Sequence, residues 1–197
     1  MVKIGALISG GGTNLQAIID NCENKTINGE VKVVISNKSR AFGLQRAKNH
    51  NIKGIFTNEE DKIIEILKEN KIDLVVLAGY LKIVSPKLVN EYKNRIINIH
   101  PSLIPAFCGK GYYGKKVHQG VIDYGAKITG ATVHFVDEGA DTGPIIMQKT
   151  VEVKQDDDTE KLAQRVLDVE HEILIKSIAM FCENKLTVEG RRVYIND

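Results

Sequence analysis

Cysteine is scarce, and the residues present stand apart. Cys22, Cys108 and Cys182 are odd in number and share no Cys-x-x-Cys spacing. That excludes a disulfide framework and a thiolate zinc site, and it fits a reducing, cytoplasmic setting. An excess of one charge is missing as well. The 27 Lys and Arg residues nearly balance the 25 Asp and Glu, for a net +2, so nothing favours DNA or RNA as the main partner. No apolar run approaches the roughly 20 residues that a bilayer demands, which leaves no membrane partner to expect. The short apolar stretch after Lys3 runs straight into Ser9-Gly10-Gly11-Gly12 and reads as a strand, not a signal peptide. Internal repeats and low-complexity segments are also absent. What remains is a chain of 197 residues, 43% hydrophobic, sufficient for one domain whose core needs no metal or disulfide.

β-type and helical segments alternate from the start. The spacing predicts strands over 2–8, 31–36, 53–57, 73–78 and 95–100, with helices over 13–22, 41–50 and 58–70 and a short one opened by Ser85-Pro86. Such a rhythm predicts an α/β fold: a Rossmann-like, mostly parallel twisted sheet with helices on both faces. Ligands bind such sheets beyond the carboxyl ends of the strands. Gly10-Gly11-Gly12, Gly79-Tyr80 and His100-Pro101 all follow strand ends, so they should share one edge. The second half reads differently. A Gly/Tyr-rich loop at 107–114 precedes a helix over 115–124. Two long β segments at 127–137 and 144–153 then suggest antiparallel edge strands on the C-terminal side. Asp156-Asp157-Asp158 caps a long last helix with Leu162, Val166, Val169, Ile173 and Phe181 on its inner side, and the tail, 186–197, can pair as two short strands.

Three motifs could carry chemistry. The first, Ser9-Gly10-Gly11-Gly12-Thr13-Asn14, joins a strand to a helix, where backbone N–H groups attract an anion and glycines let a phosphate approach. Its plain alternative is a tight turn with Thr13 or Asn14 as a cap. Leu15 stands where a dinucleotide fingerprint needs glycine, Asn37 stands where it needs an acid, and the Gly-Lys-Ser/Thr of a P-loop is absent. A single phosphomonoester fits better than NAD or ATP. The second motif is Asn98-Ile99-His100-Pro101. Side chains alternate along a strand, so Asn98 and His100 face the same way. An amide there can hold an oxyanion, and an imidazole can move a proton near neutral pH. The third is Asp137-Glu138-Gly139-Ala140-Asp141-Thr142-Gly143-Pro144, which by itself suits a turn. If Asp141 meets His100, the carboxylate favours the imidazolium and raises its pKa, giving a protonated acid at working pH. His50, His118, His134 and His171 form no sequence cluster, so no metal site is expected. Cys108 reads as a bystander.

The stretches Ser9–Ile18, Ala78–Val84, Asn98–Pro105 and Val136–Pro144 resemble, in order, the phosphoribosylglycinamide formyltransferases of the folate-dependent formyltransferase superfamily. The resemblance implies formyl transfer from 10-formyltetrahydrofolate, as co-substrate, to phosphoribosylglycinamide in purine biosynthesis. His100, Asn98 and Asp141 would be catalytic. Gly12, Thr13, Asn14 and Glu170 would hold phosphoribosylglycinamide. Leu81, Lys82, Ile83, Val84, Asn98, Asp137, Glu138, Gly139, Ala140 and Asp141 would contact the folate. It implies a single formyltransferase domain over 1–197, with a phosphate-binding half over 1–100 and a folate and C-terminal-helix half over 101–197. Small-molecule substrates and a monomer or homodimer are expected. Lys82 stands where the family often has Arg, and no Arg lies among residues 58–62; a lysine lacks the planar fork of a guanidinium. The alternatives are a methionyl-tRNA formyltransferase, a formyltetrahydrofolate hydrolase and a non-enzymatic nucleotide sensor. About a dozen residues after the last helix, near-neutral charge and a start on the first strand disfavour the first two. A sensor would have no need for Asn98, His100 and Asp141 together.

Overall fold

The structure, a computed structural model, describes residues 1–196; Asp197, the end of the expected tail pairing, lies outside the described residues. Among the described residues nine strands form one sheet: β1 (Val2–Ile8), β2 (Gly29–Ser36), β3 (Lys53–Phe56), β4 (Leu74–Leu77), β5 (Ile96–His100), β6 (Ile128–Phe135), β7 (Ile145–Glu152), β8 (Leu186–Glu189) and β9 (Arg192–Ile195). The helices are α1 (Thr13–Glu23), α2 (Phe42–Asn49), α3 (Glu60–Glu69), α4 (Pro86–Glu91), α5 (Lys115–Tyr124) and α6 (Thr159–Cys182). The sheet runs β3-β2-β1-β4-β5-β6-β7-β9-β8. Its first five strands are parallel; β6 is antiparallel to both β5 and β7, and β7 is parallel to β9.

Alternation within the strands explains why helices cover both faces. In β1, Ile4, Ala6 and Ile8 belong to one core with Leu15, Ile18 and Ile19 of α1 and Leu162, Val166, Ile173 and Leu174 of α6. Leu7, between them, belongs to the opposite core with Ile63, Ile66 and Leu67 of α3 and Leu88 of α4. A strand buried on both sides reads as a continuous apolar run, and β4, Leu-Val-Val-Leu, does so. On α6, Val169 and Phe181 are only partly buried, while Glu170, Leu174 and Ser177 take inward positions that the apolar pattern did not mark. Its start is capped by Asp158, whose carboxylate accepts from the Lys161 N–H at 2.8 Å.

The antiparallel strands lie on the C-terminal side of the sheet, as expected. The tail hairpin extends the sheet beyond β7, where β9 joins β7 through one residue pair, Ile145 with Arg192. The sheet reverses its order between β1 and β4, the switch point at which such folds bind ligands. Three connections leave that edge: the glycine turn after β1, Gly79–Leu81 after β4 and Pro101 onward after β5. The glycine turn is compact for a steric reason. Gly12 has φ 73°, and a Cβ there would lie 2.8 Å from the Gly43 Cα of α2, so no side chain fits between the turn and α2. No helix among the described residues is long and apolar enough to cross a membrane.

Candidate active site

A cleft of about 410 Å³ opens at this edge, lined by residues from α1, the connections after β4 and β5, α5, the 139–141 turn and α6. Asn98 and His100 end β5 in its floor. The chain after His100 is held by hydrogen bonds. The Thr132 hydroxyl donates to the Ser102 carbonyl at 2.7 Å and accepts from the Ile104 N–H at 3.1 Å, while the Ser102 hydroxyl donates to the Ala106 carbonyl at 2.6 Å. This sets the Phe107 carbonyl 3.0 Å from His100 Nε2, which donates to it. On the ring's other side, Nδ1 lies 3.5 Å from Asp141 Oδ2. Asp141 therefore reaches His100.

The electrical consequence differs from the sequence expectation. Burial holds His100 below the ordinary histidine value. Asp141 and the Phe107 carbonyl pull it upward without overcoming that burial, and His134 adds to the lowering. The resting imidazole is thus an uncharged base, not a standing acid: a 5% exposed ring loses more hydration on charging than one carboxylate returns. For Asp141 itself burial pushes upward. The contacts from His134, His100 and the Gly109 N–H, which donates at 2.9 Å, outweigh it and hold this carboxyl below its usual range.

Asn98 has a partner that sequence reasoning did not pick out. His134 sits opposite it in the β5–β6 register, with His134 Nε2 and Asn98 Nδ2 3.1 Å apart, and Asp141 Oδ1 lies 3.4 Å from the same amide nitrogen. A second unforeseen ring, His118 of α5, lines the cleft nearly buried, with its Nδ1 unpartnered. Burial and the neighbouring His100 push it down to about 4. The available signal was weak: one histidine in each of two elements, with nothing in the sequence to say which segments they would meet.

Of the residues expected to hold a phosphorylated substrate, Asn14 and Glu170 line the cleft, and Gly12 and Thr13 lie outside its lining at the start of α1. The first N–H groups of that helix have no acceptor within it. Asn14 turns its side chain to Glu170, donating to Oε2 at 2.9 Å. Glu170 is 8% exposed, and burial lifts its carboxyl to about 7 with only that amide opposing. A buried carboxyl so weakly supported costs the fold stability and suggests use in binding. The sign follows from its ordinary value of 4.5. The stability from keeping it protonated is complete below 4.5 and is lost as pH rises to about 7. Glu170→Gln should therefore gain up to about 3 kcal/mol over the native chain at pH 8 and nothing at pH 4. Denaturant unfolding at both values checks this; an equal difference at both would refute it.

Leu81, Lys82, Ile83 and Val84 also line the cleft, with Leu81 and Ile83 largely exposed, as do Tyr112 and Tyr113 of the 107–114 loop. Lys82 is tied down, its Nζ donating to the Asn58 carbonyl at 3.0 Å. Gly139, Ala140 and Asp141 line the cleft; Asp137 and Glu138 do not. Asp137 closes its own loop instead, accepting from the Thr142 hydroxyl at 2.6 Å and the Gly139 N–H at 3.1 Å. The Cys108 thiol donates to the Pro105 carbonyl at 3.3 Å and is pushed up by burial and Asp141, so it is no nucleophile. Among the described residues no group of three or more His, Cys, Asp or Glu is arranged to hold a metal ion.

The chain is similar to known proteins over nearly its whole length. The family profile described as formyl transferase matches residues 2–178. A chloroplastic phosphoribosylglycinamide formyltransferase of Vigna unguiculata is 41% identical over 193 residues, covering 93% of this chain and 62% of its own. The chain thus spans just under two thirds of that plant relative. A phosphoribosylglycinamide formyltransferase of Haemophilus influenzae is 39% identical, covering 100% of this chain and 94% of its own. The crystal structure of glycinamide ribonucleotide transformylase 1 from Symbiobacterium toebii superposes with a TM-score of 0.95 at 42% identity, covering 100% of this chain and 95% of that one.

Proposed function

Because the chain belongs to the formyl transferase family, we propose that it moves the formyl group of 10-formyltetrahydrofolate to the amine of 5-phosphoribosylglycinamide in purine biosynthesis. The observation that carries this reading is the meeting of Asn98, His100 and Asp141 in one cleft beside the Asn14–Glu170 pair. One acceptor subsite and one formyl-transfer site thereby share a wall. The domain is read as one unit, its first half presenting the glycine turn and its second half supplying Asp141 and Glu170.

The acceptor's phosphate is assigned to the start of α1, at Gly12, Thr13 and the Asn14 backbone, where the free N–H groups and the helix dipole favour an anion. Its ribose and amine lie toward Glu170 and the Asn14 side chain. The folate is assigned to the apolar wall of Leu81, Ile83 and Val84, to the Lys82 stem and to the turn at Gly139, Ala140 and Asp141. Asp137 shapes that turn, and Glu138 stands at its rim. No metal enters the reaction as proposed.

The uncharged amine attacks the formyl carbon, forming a C–N bond and leaving negative charge on the formyl oxygen. An Asn98 N–H meets that oxygen. His100, uncharged at rest, takes the proton the amine releases, and Asp141 Oδ2 and the Phe107 carbonyl then flank the resulting imidazolium. The proton returns to the folate nitrogen as its bond to the formyl carbon breaks. No acyl-enzyme is required. A low resting pKa for His100 suits this order: the base is ready, and its acid form is steadied only when made.

Asp141→Asn tests the pairing. Removing the anion takes away an upward pull on His100, so the acidic limb of the kcat/KM profile should move to lower pH. Turnover should fall at least tenfold, since a hydrogen bond to a charged group is worth about 1.5–3 kcal/mol. An unmoved limb would overturn the pairing. The reaction itself is tested by offering phosphoribosylglycinamide, charged initiator tRNA and water as formyl acceptors. Transfer to the first alone is expected, and transfer to tRNA or water in its place would reverse the assignment. Action in the cytoplasm, as a monomer or homodimer, completes the reading.

A further inference from the structure

We propose that His134 is a positioning residue that fixes which end of the Asn98 amide faces the reacting formyl group; this rests on the formyl-transfer reading above. His134 is 2% exposed on β6. Its Nδ1 lies 2.8 Å from the Phe135 carbonyl oxygen. A carbonyl only accepts, so Nδ1 carries the hydrogen, and in the uncharged ring Nε2 offers a lone pair. That lone pair lies 3.1 Å from the Asn98 side chain, where only the N–H end of the amide can meet it. One N–H of Asn98 is thereby spent on His134. The planar amide then directs its second N–H toward Asp141 Oδ1 at 3.4 Å. That contact is long for a hydrogen bond, and a formyl oxygen between Asn98 and His100 can take the hydrogen over. A reversed amide would set its oxygen against both the Nε2 lone pair and the Asp141 carboxylate. It would also leave no N–H on that side for the oxyanion.

The ring therefore acts through Asn98 and needs no contact with substrate. Its signature is a loss in kcat with KM nearly intact, since an oriented donor matters most when charge develops. The test compares His134→Gln with His134→Met, side chains of similar shape of which only Gln offers a strong acceptor near the place of Nε2. For the Met enzyme we expect kcat to fall about tenfold or more with both KM values little changed, and the Gln enzyme to recover most of the loss. In an Asn98→Ala background, His134→Met should cost less than about twofold further, because the group it orients is gone. Should the Met enzyme fail to fold, His134→Phe makes the same comparison with the ring shape kept. An unchanged kcat in a folded variant lacking the acceptor, or a full additional loss on the Asn98→Ala background, overturns the proposal. A native enzyme without formyl transfer would instead overturn the functional reading, so the two failures are distinguishable.

Discussion

His100→Ala is expected to fold and to lose about 10³ in kcat, within the range that general acid–base catalysis contributes. The fold should survive because truncation orphans little. The Phe107 carbonyl, which accepts from His100 Nε2, has the Ser102 hydroxyl 3.3 Å away, and that O–H, held on the Ala106 carbonyl in the native chain, can turn to it. The remaining cost is one neutral hydrogen bond and a small void beside an open cleft, about 1–2 kcal/mol. The catalytic cost is larger because the ring's charge exists only while the amine's proton is in transit, so its loss falls on kcat while KM holds. Steady-state kinetics with thermal unfolding of the same sample provides the check. A folded His100→Ala enzyme with near-native turnover would remove the base from the mechanism. His100→Gln separates proton transfer from packing, since its amide can still donate to Phe107 but cannot take a proton at neutral pH.

Two carboxyls in this cleft are pushed in opposite directions, and the causes assign them opposite work. Asp141 receives the Gly109 N–H and has an Asn98 N–H turned toward it, so it stays charged. Glu170 is enclosed with one amide and reaches about 7. A charged group beside the base can steady an imidazolium, and a group near neutrality can donate to or accept from a ligand's hydroxyl or amine. Both lie within one cleft, so the same enclosure that lowers His100 raises Glu170.

Much of this was legible in the chain. The β4 run Leu74–Leu77 announced a strand buried on both faces, and the breaks after β4 and β5 announced the edge at which the cleft opens. Strand alternation put Asn98 and His100 on one side before any coordinates. The unreadable parts depended on contacts between distant segments. His134 neighbours Asn98 because β6 pairs antiparallel with β5 in one register, and a one-residue slip would have turned it to the other face. The direction of the His100 shift required knowing that burial outweighs Asp141, which no spacing reveals. The positions of Glu170, Leu174 and Ser177 on α6 escaped because a 24-residue helix touching β5, β6, β7, α1 and α5 has no single inner stripe. The tail hairpin was foreseen as two strands, but its place next to β7 rests on one residue pair.

Gly143→Ala should be nearly as damaging as the loss of His100, though it removes no functional group. A Cβ at Gly143 would lie 1.8 Å from the Phe135 carbonyl oxygen, 2.8 Å from its carbon and 3.2 Å from the Asp137 nitrogen. All three are backbone atoms, so no side chain can swing aside. The Phe135 N–H donates to the Pro144 carbonyl at 2.8 Å, closing the β6–β7 connection at this point. The methyl must therefore pry the two strands apart or move the 137–144 turn. Overpacking typically costs about 1–3 kcal/mol and more where nothing yields, so a loss of about 3 kcal/mol in unfolding free energy is expected. The turn holds Asp141 at φ 57°, a left-handed conformation that depends on its neighbours. Any shift there moves the carboxylate away from His100 Nδ1, and a displacement of about 1 Å in such a site can cost on the order of 10² in turnover. Denaturant unfolding and kcat measured on one preparation should fall together. A Gly143→Ala enzyme as stable and as fast as the native one would mean that the strand end opens freely and that the turn does not set the place of Asp141.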